Sequence, residues 1–164
     1  MARAGEEFQV ADKKAIDPLW VWGENADRPR LLHSMLRVRD VDGTLRFYCD
    51  GLGMNLLDRY DFETGRFSIL FLSYAGYRDG PAAIELTYNW DQDSDYTHGN
   101  GYGHIAIGVP DVRQMWTRLA DYGGRQGTAP KSMMPGAPEL AFVYDPDGYA
   151  IELIQTKRSP VVSA

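Results

Sequence analysis

Leu31-Leu32-His33-Ser34-Met35-Leu36-Arg37-Val38 and Gly103-His104-Ile105-Ala106-Ile107-Gly108-Val109 open two halves of this chain in the same way. Each is a strand-like run entered by a histidine. The halves also close alike, with Ala83-Ile84-Glu85-Leu86-Thr87-Tyr88 and Tyr149-Ala150-Ile151-Glu152-Leu153-Ile154 sharing an Ile-Glu-Leu core. His-to-Glu separations are similar (85 − 33 = 52 and 152 − 104 = 48 residues). The chain is therefore an approximate duplication, and each copy brings one imidazole and one carboxylate.

Working outward from His33, Asp40-Val41-Asp42-Gly43-Thr44 offers helix-cap residues before Leu45, Phe47, Tyr48 and Leu52, which suit one face of a helix that Gly51 or Gly53 ends. Strands are predicted over 55–61, 67–72 and 82–88, separated by the turn residues Gly65, Gly76 and Gly80-Pro81. In the second copy a strand over 103–109 precedes a helix opened by Pro110-Asp111 and stopped by Gly123-Gly124, then strands near 125–128, 140–144 and 149–155. The predicted fold is α+β, two βαβββ modules at about 31–90 and 101–157 in one domain spanning 30–157. Residues 1–29 form an extension and 158–164 a tail. Within the extension, Leu19-Trp20-Val21-Trp22 is aromatic enough to be expected against the body or a partner subunit. Asp145-Pro146-Asp147-Gly148 reads as a hairpin turn and nothing more. The polar stretch 91–102 reads as the linker between modules, with His98 a solvated loop residue.

Composition narrows the function. The 164 residues are 44% apolar, enough for one ordinary core. A net charge of −6 carries no footprint for nucleic acid or an anionic membrane, and small-molecule chemistry is expected instead. No run approaches a membrane span, and the first 29 residues lack the apolar stretch of a signal peptide. The single cysteine, Cys49, allows no intrachain disulfide and reads as a packed helix residue of a cytoplasmic protein.

Alternate side chains of a strand share a face, so His33 and Glu85 can point into one concavity. Two curved sheets placed face to face would bring His33, Glu85, His104 and Glu152 around one ion. That donor set suits Ni²⁺, Co²⁺, Zn²⁺, Fe²⁺ or Mn²⁺, with room for water in an octahedral shell. A lone Glu between Ile and Leu is often only a solvent-facing strand residue, and a lone His at a strand start is usually structural. Recurrence of both types at both places favours the metal.

The runs around His33, Phe47-Tyr48, Gly51-Leu52-Gly53-Met54, Ile84-Glu85-Leu86-Thr87-Tyr88-Asn89-Trp90, Gly103-His104-Ile105-Ala106 and Asp145-Pro146-Asp147-Gly148-Tyr149 to Ile154 resemble the glyoxalase I family of the vicinal-oxygen-chelate superfamily over roughly 31–157. The resemblance implies a glyoxalase/bleomycin-resistance/dioxygenase-like fold. It also implies isomerisation of the methylglyoxal–glutathione hemithioacetal to S-D-lactoylglutathione through a metal-stabilised enediolate. The family's ligands fall on His33, Glu85, His104 and Glu152, with Glu152 as the main base and Glu85 as its mirror. Arg37 and Asn89 fall where the family holds the γ-glutamyl end of glutathione. For the glycyl carboxylate the family commonly has a Lys, where ungapped alignment puts Met134; Lys131, three residues upstream, is the available substitute. If Lys131 does not serve, glutathione binding weakens or the natural thiol differs. The resemblance further implies a homodimer with sites at the subunit boundary, one divalent metal per site, and Ni²⁺ or Co²⁺ ahead of Zn²⁺. Three-ligand relatives, the ring-cleaving dioxygenases and antibiotic-modifying transferases, and a metal-free bleomycin-binding module all fit less well, because Glu85 completes a set of four.

Overall fold

A computed structural model of the chain describes residue 29 and residues 31–74 and 82–157. The expected packing of Leu19-Trp20-Val21-Trp22, the turns at Gly76 and Gly80-Pro81, and the tail lie outside the described residues.

In the first module β1 (His33–Val38) leads into α1 (Val41–Leu45), a π-helical turn (Arg46–Gly51), then β2 (Asn55–Phe62), β3 (Phe67–Ser73) and β4 (Ala83–Asn89). The second runs β5 (Ile105–Val109), α2 (Val112–Arg118), a 3₁₀ turn (Leu119–Tyr122), β6 (Arg125–Gln126), β7 (Lys131–Ser132), β8 (Glu139–Tyr144) and β9 (Ala150–Gln155). The helices start by the same device: the Asp40 carboxylate accepts the Gly43 N–H at 3.1 Å, and Asp111 accepts that of Gln114 at 2.9 Å. The expected single first helix is instead short and widened, with the Leu52 N–H bonding to the Phe47 carbonyl. Strand β7 is an addition, two residues too short to leave a periodic signal.

Both modules build mixed sheets, ordered β1-β4-β3-β2 and β5-β9-β8-β6, with β7 pairing β8. In each, the first strand lies parallel to the last and forms an edge. Leu36, Val38, Leu70, Leu72, Ile84 and Leu86 from one sheet and Ile107, Val109, Ala141, Val143, Ile151 and Leu153 from the other share one core with Leu45, Phe47, Tyr48, Val112 and Leu119. The alternation of period 2 therefore turns His33, Glu85 and Glu152 to the opposite faces of their sheets. A second apolar cluster of Leu57, Ile69, Phe71 and Ala83 lies apart from that core. Leu57 enters it at a β-bulge, where the β2–β3 register jumps between Leu56 and Asp58.

Asp145-Pro146-Asp147-Gly148 does form the β8–β9 turn, with Gly148 at φ 89, but it also clasps the modules together. Asp145 Oδ1 accepts the N–H groups of Asp147 and Tyr149, and its Oδ2 accepts the Tyr48 hydroxyl at 2.9 Å. Asp147 accepts the Arg39 N–H at 2.9 Å and the Thr44 hydroxyl at 3.2 Å, and the Tyr149 hydroxyl accepts the Arg37 N–H at 3.2 Å. The Arg37 and Arg39 N–H groups belong to the open side of edge strand β1 and its continuation, so the clasp satisfies donors that no strand pairs. Cys49 is half-buried, its thiol pushed up to about 12 by burial and by Asp50, as suits a packed residue. Among the described residues no helix is long and apolar enough to cross a membrane.

Candidate active site

In the first sheet Met35 of β1 stands opposite Glu85 of β4, and His33 lies two residues before it. In the second, Ala106 stands opposite Glu152, and His104 lies two residues before it. The duplication read from the sequence is thus a duplication of register. It brings His33 Nε2 to 3.2 Å from Glu85 Oε2 and His104 Nε2 to 3.1 Å from Glu152 Oε2. Both carboxylates are largely sheltered and both imidazoles are about two-fifths open, at 35% and 42% exposure. Each pair sets one nitrogen beside one oxygen.

The two pairs do not meet within the chain. Among the described residues no three His, Cys, Asp or Glu side chains lie close enough to share an ion. The shared core explains this: each pair points away from it, so one chain brings the four residues together as two and two.

A phenylalanine completes each half. Phe71 stands opposite Glu85 across β3–β4 and meets the His33 ring edge-on at 5.6 Å; Phe142 stands opposite Glu152 across β8–β9 and meets His104 at 5.4 Å. Sequence reading missed both, although each sits one hairpin register from the Glu. The halves differ at the carboxylate's second oxygen: the Thr87 hydroxyl donates to Glu85 Oε1 at 3.1 Å. Two residues beyond Glu152 stands Ile154, which has no hydroxyl.

Arg37 and Asn89 continue the faces of His33 and Glu85 by strand alternation. Arg37 is exposed, opposite Thr87, and Asn89 donates to the Tyr96 hydroxyl at 2.9 Å. Lys131 and Met134 lie on the other sheet, Lys131 in β7 and Met134 in the loop between β7 and β8. Arg37 and Asn89 belong to β1 and β4 of the first sheet.

His98 is not the solvated residue expected of a polar linker. Its ring stacks on Tyr149 at 4.0 Å, and its buried Nε2 has no hydrogen-bond partner among the described residues. Composition made the segment look like a free loop. In fact Asp95 pairs with Arg39 and Tyr96 with Asn89, laying it over the clasp.

Comparison with known proteins agrees with this architecture. Residues 30–153 match the family described as Glyoxalase/Bleomycin resistance protein/Dioxygenase superfamily. A protein of Synechocystis sp. described as a probable lactoylglutathione lyase is 51% identical over 126 residues, 77% of this chain and 95% of that one. The crystal structure of glyoxalase I from Zea mays superposes with a TM-score of 0.72 at 37% identity, over 80% of this chain and 46% of that one. This chain spans about half the length of the maize protein. Leishmania major glyoxalase I, described as trypanothione-dependent, gives a TM-score of 0.67 at 37% identity, over 78% of this chain and 87% of that one. The chain belongs to the Glyoxalase/Bleomycin resistance protein/Dioxygenase superfamily.

Proposed function

We propose that this protein is a lactoylglutathione lyase, a glyoxalase I that isomerises the methylglyoxal–glutathione hemithioacetal to S-D-lactoylglutathione in the cytoplasm. The observation that carries the reading is the twice-built His–Glu pair, in a chain 51% identical to a relative described as a probable enzyme of that kind.

The residues fit a divalent cation. Two neighbouring ligands about 2.1 Å from a metal and about 90° apart are separated by about 3.0 Å, close to the 3.2 and 3.1 Å found in the two pairs. All four donors are nitrogen or oxygen and none is a thiolate, a set that suits Ni²⁺, Co²⁺ and Zn²⁺ alike; the family resemblance puts Ni²⁺ or Co²⁺ first, with Zn²⁺ the alternative. His33, Glu85, His104 and Glu152 would hold the ion, and the ion would supply Lewis-acid polarisation of the substrate carbonyl. Since each chain turns its pairs away from the shared core, we place the complete site between two copies in a homodimer. One copy gives His33 and Glu85, the other His104 and Glu152.

Within that site Glu152 removes the proton from the carbon bearing sulfur and returns it to the neighbouring carbon, while the hydroxyl proton passes to the adjacent oxygen. The reaction is an isomerisation and needs no oxidant or nucleophile. Phe71 and Phe142 shield the carboxylates from water, and Arg37 with Asn89 binds the γ-glutamyl end of the thiol. An Arg can hold such a carboxylate by two parallel hydrogen bonds.

The test is ultraviolet detection of the thioester from methylglyoxal and glutathione, with metal-stripped protein reloaded with Ni²⁺, Co²⁺ or Zn²⁺. Thioester with at least one metal is expected. No product with any metal and any common thiol would overturn the reading.

A further inference from the structure

The two halves of the site match in register but not in what surrounds the carboxylate. Glu85 is held at both oxygens: Oε2 lies by His33 Nε2, and Oε1 accepts the Thr87 hydroxyl at 3.1 Å. Thr87 is itself fixed, buried in β4 between Arg37 of β1 and Ile69 of β3. Glu152 has the His104 contact, and its other oxygen has no partner among the described residues. The residue at Thr87's place is Ile154, between Gly108 and Leu140. Neighbouring strands differ in the same sense. Met35, a long side chain, stands beside Glu85, whereas Ala106 stands beside Glu152.

We propose that Thr87 is a positioning residue that divides the labour between two otherwise equivalent glutamates. Its hydroxyl fixes Glu85 as a stationary donor, while Ile154 and Ala106 leave Glu152 untethered, with space to leave its histidine and move a proton. A hydroxyl donating to a carboxylate consumes one of the orientations that the group needs in order to swing. A side chain without a donor imposes no such restraint. The asymmetry lies in second-layer residues, whose loss commonly costs about 10- to 100-fold in metal affinity or activity.

The inference rests on the lyase reading, and its test separates the two. Metal affinity is measured by titrating Ni²⁺ or Co²⁺ into the metal-free parent and the variants, and turnover is then measured on the loaded proteins. Thr87→Val is expected to weaken metal binding about tenfold or more, and Thr87→Ser to restore it. Ile154→Thr, which transplants the tether beside Glu152, is expected to keep or raise metal affinity and to lower kcat about tenfold or more with little change in KM. Melting temperatures verify that each variant folds; if Ile154→Thr does not fold, Ala106→Met crowds the same carboxylate and carries the same expectation. Thr87→Val binding metal like the parent, or Ile154→Thr or Ala106→Met turning over like the parent, would overturn the inference. If the parent makes no thioester, the lyase reading fails, and the affinities of Thr87→Val and Thr87→Ser alone decide for or against the tether.

Discussion

Tyr48 donates its hydroxyl to Asp145 at 2.9 Å across a junction that joins residues 97 positions apart, with both side chains sealed from solvent. Burial pushes the Asp145 carboxyl up to about 6, against the bonds from Tyr149 and Tyr48 that pull it down, and pushes the Tyr48 phenol well above its ordinary range. The pair is the centre of the clasp between modules and sets a pH dependence on their association.

The sign follows from the direction of the shift. An unfolded aspartate titrates near about 3.9, so folding raises its pKa and favours the protonated form. Its stabilising contribution is full below about pH 4 and is lost as pH rises through about 6. Asp145→Asn keeps an acceptor for the two turn N–H groups and cannot ionise. Metal-free variant and parent should therefore diverge between pH 4 and 7.5, the variant gaining about 2–3 kcal/mol relative to the parent. Thermal melts at the two ends of that range measure it; a gap that does not change with pH would refute it.

Gly124 sits where the end of the second helix meets the π-helical turn of the first module. A Cβ there would lie 2.8 Å from the Leu119 carbonyl oxygen and 2.8 Å from Phe47 Cε2. The backbone oxygen cannot step aside, and Phe47 is fully buried. Gly124→Ala should cost about 1–3 kcal/mol. Gly101→Ala, where an added Cβ meets nothing within 4 Å, should stay within about 0.5 kcal/mol of the parent. Denaturant midpoints that move equally in both variants would contradict this.

What the sequence reveals and what it hides divide along physical lines. Strand register is legible because its period is 2 and the chain states it twice: His33 and His104 each fall two residues before the partner of a glutamate. Which face of each sheet meets the other module is not legible. Both faces of a covered sheet are partly apolar, and only the shared core shows that Glu152, flanked by buried Ile151 and Leu153, points away from it. The role of Asp147 is hidden for another reason. A turn tetrapeptide explains itself locally, so nothing in it announces the Arg39 N–H or the Thr44 hydroxyl 103 residues earlier. His98 is misjudged because polarity of its neighbours says nothing about a ring stacked on Tyr149.

Glu152→Gln and Glu85→Gln should fail in different ways. Replacing the untethered Glu152 removes the proton carrier, so kcat should drop by about 100-fold or more while the metal is lost only in part. Replacing Glu85, which Thr87 holds beside His33, should show first as weaker metal binding. Metal titration beside turnover at saturating metal distinguishes them. A Glu152→Gln protein with full turnover would remove Glu152 from the proton transfer.

Met133 and Met134 project from the loop between β7 and β8 at 65% and 64% exposure, and Ser132 ties that loop by donating its hydroxyl to the Ala137 carbonyl at 2.9 Å. Two methionines so open in water gain nothing from burial there, and the nearest cation along the chain, Lys131, is held in β7 opposite Leu140. If the thiol is glutathione, its glycyl carboxylate meets this loop without a fixed positive partner, and Met134→Lys supplies one. An exposed ion pair contributes about 0.2–1 kcal/mol, so KM for the glutathione hemithioacetal should fall by up to about fivefold with kcat unchanged. Lys131→Met in the parent is the complement. A raised KM there, with no gain from Met134→Lys, would mean that Lys131 already reaches the carboxylate. An unchanged KM in both variants would mean that the chain does not read that end of the thiol, and screening thiols that lack a glycyl carboxylate would then show comparable turnover.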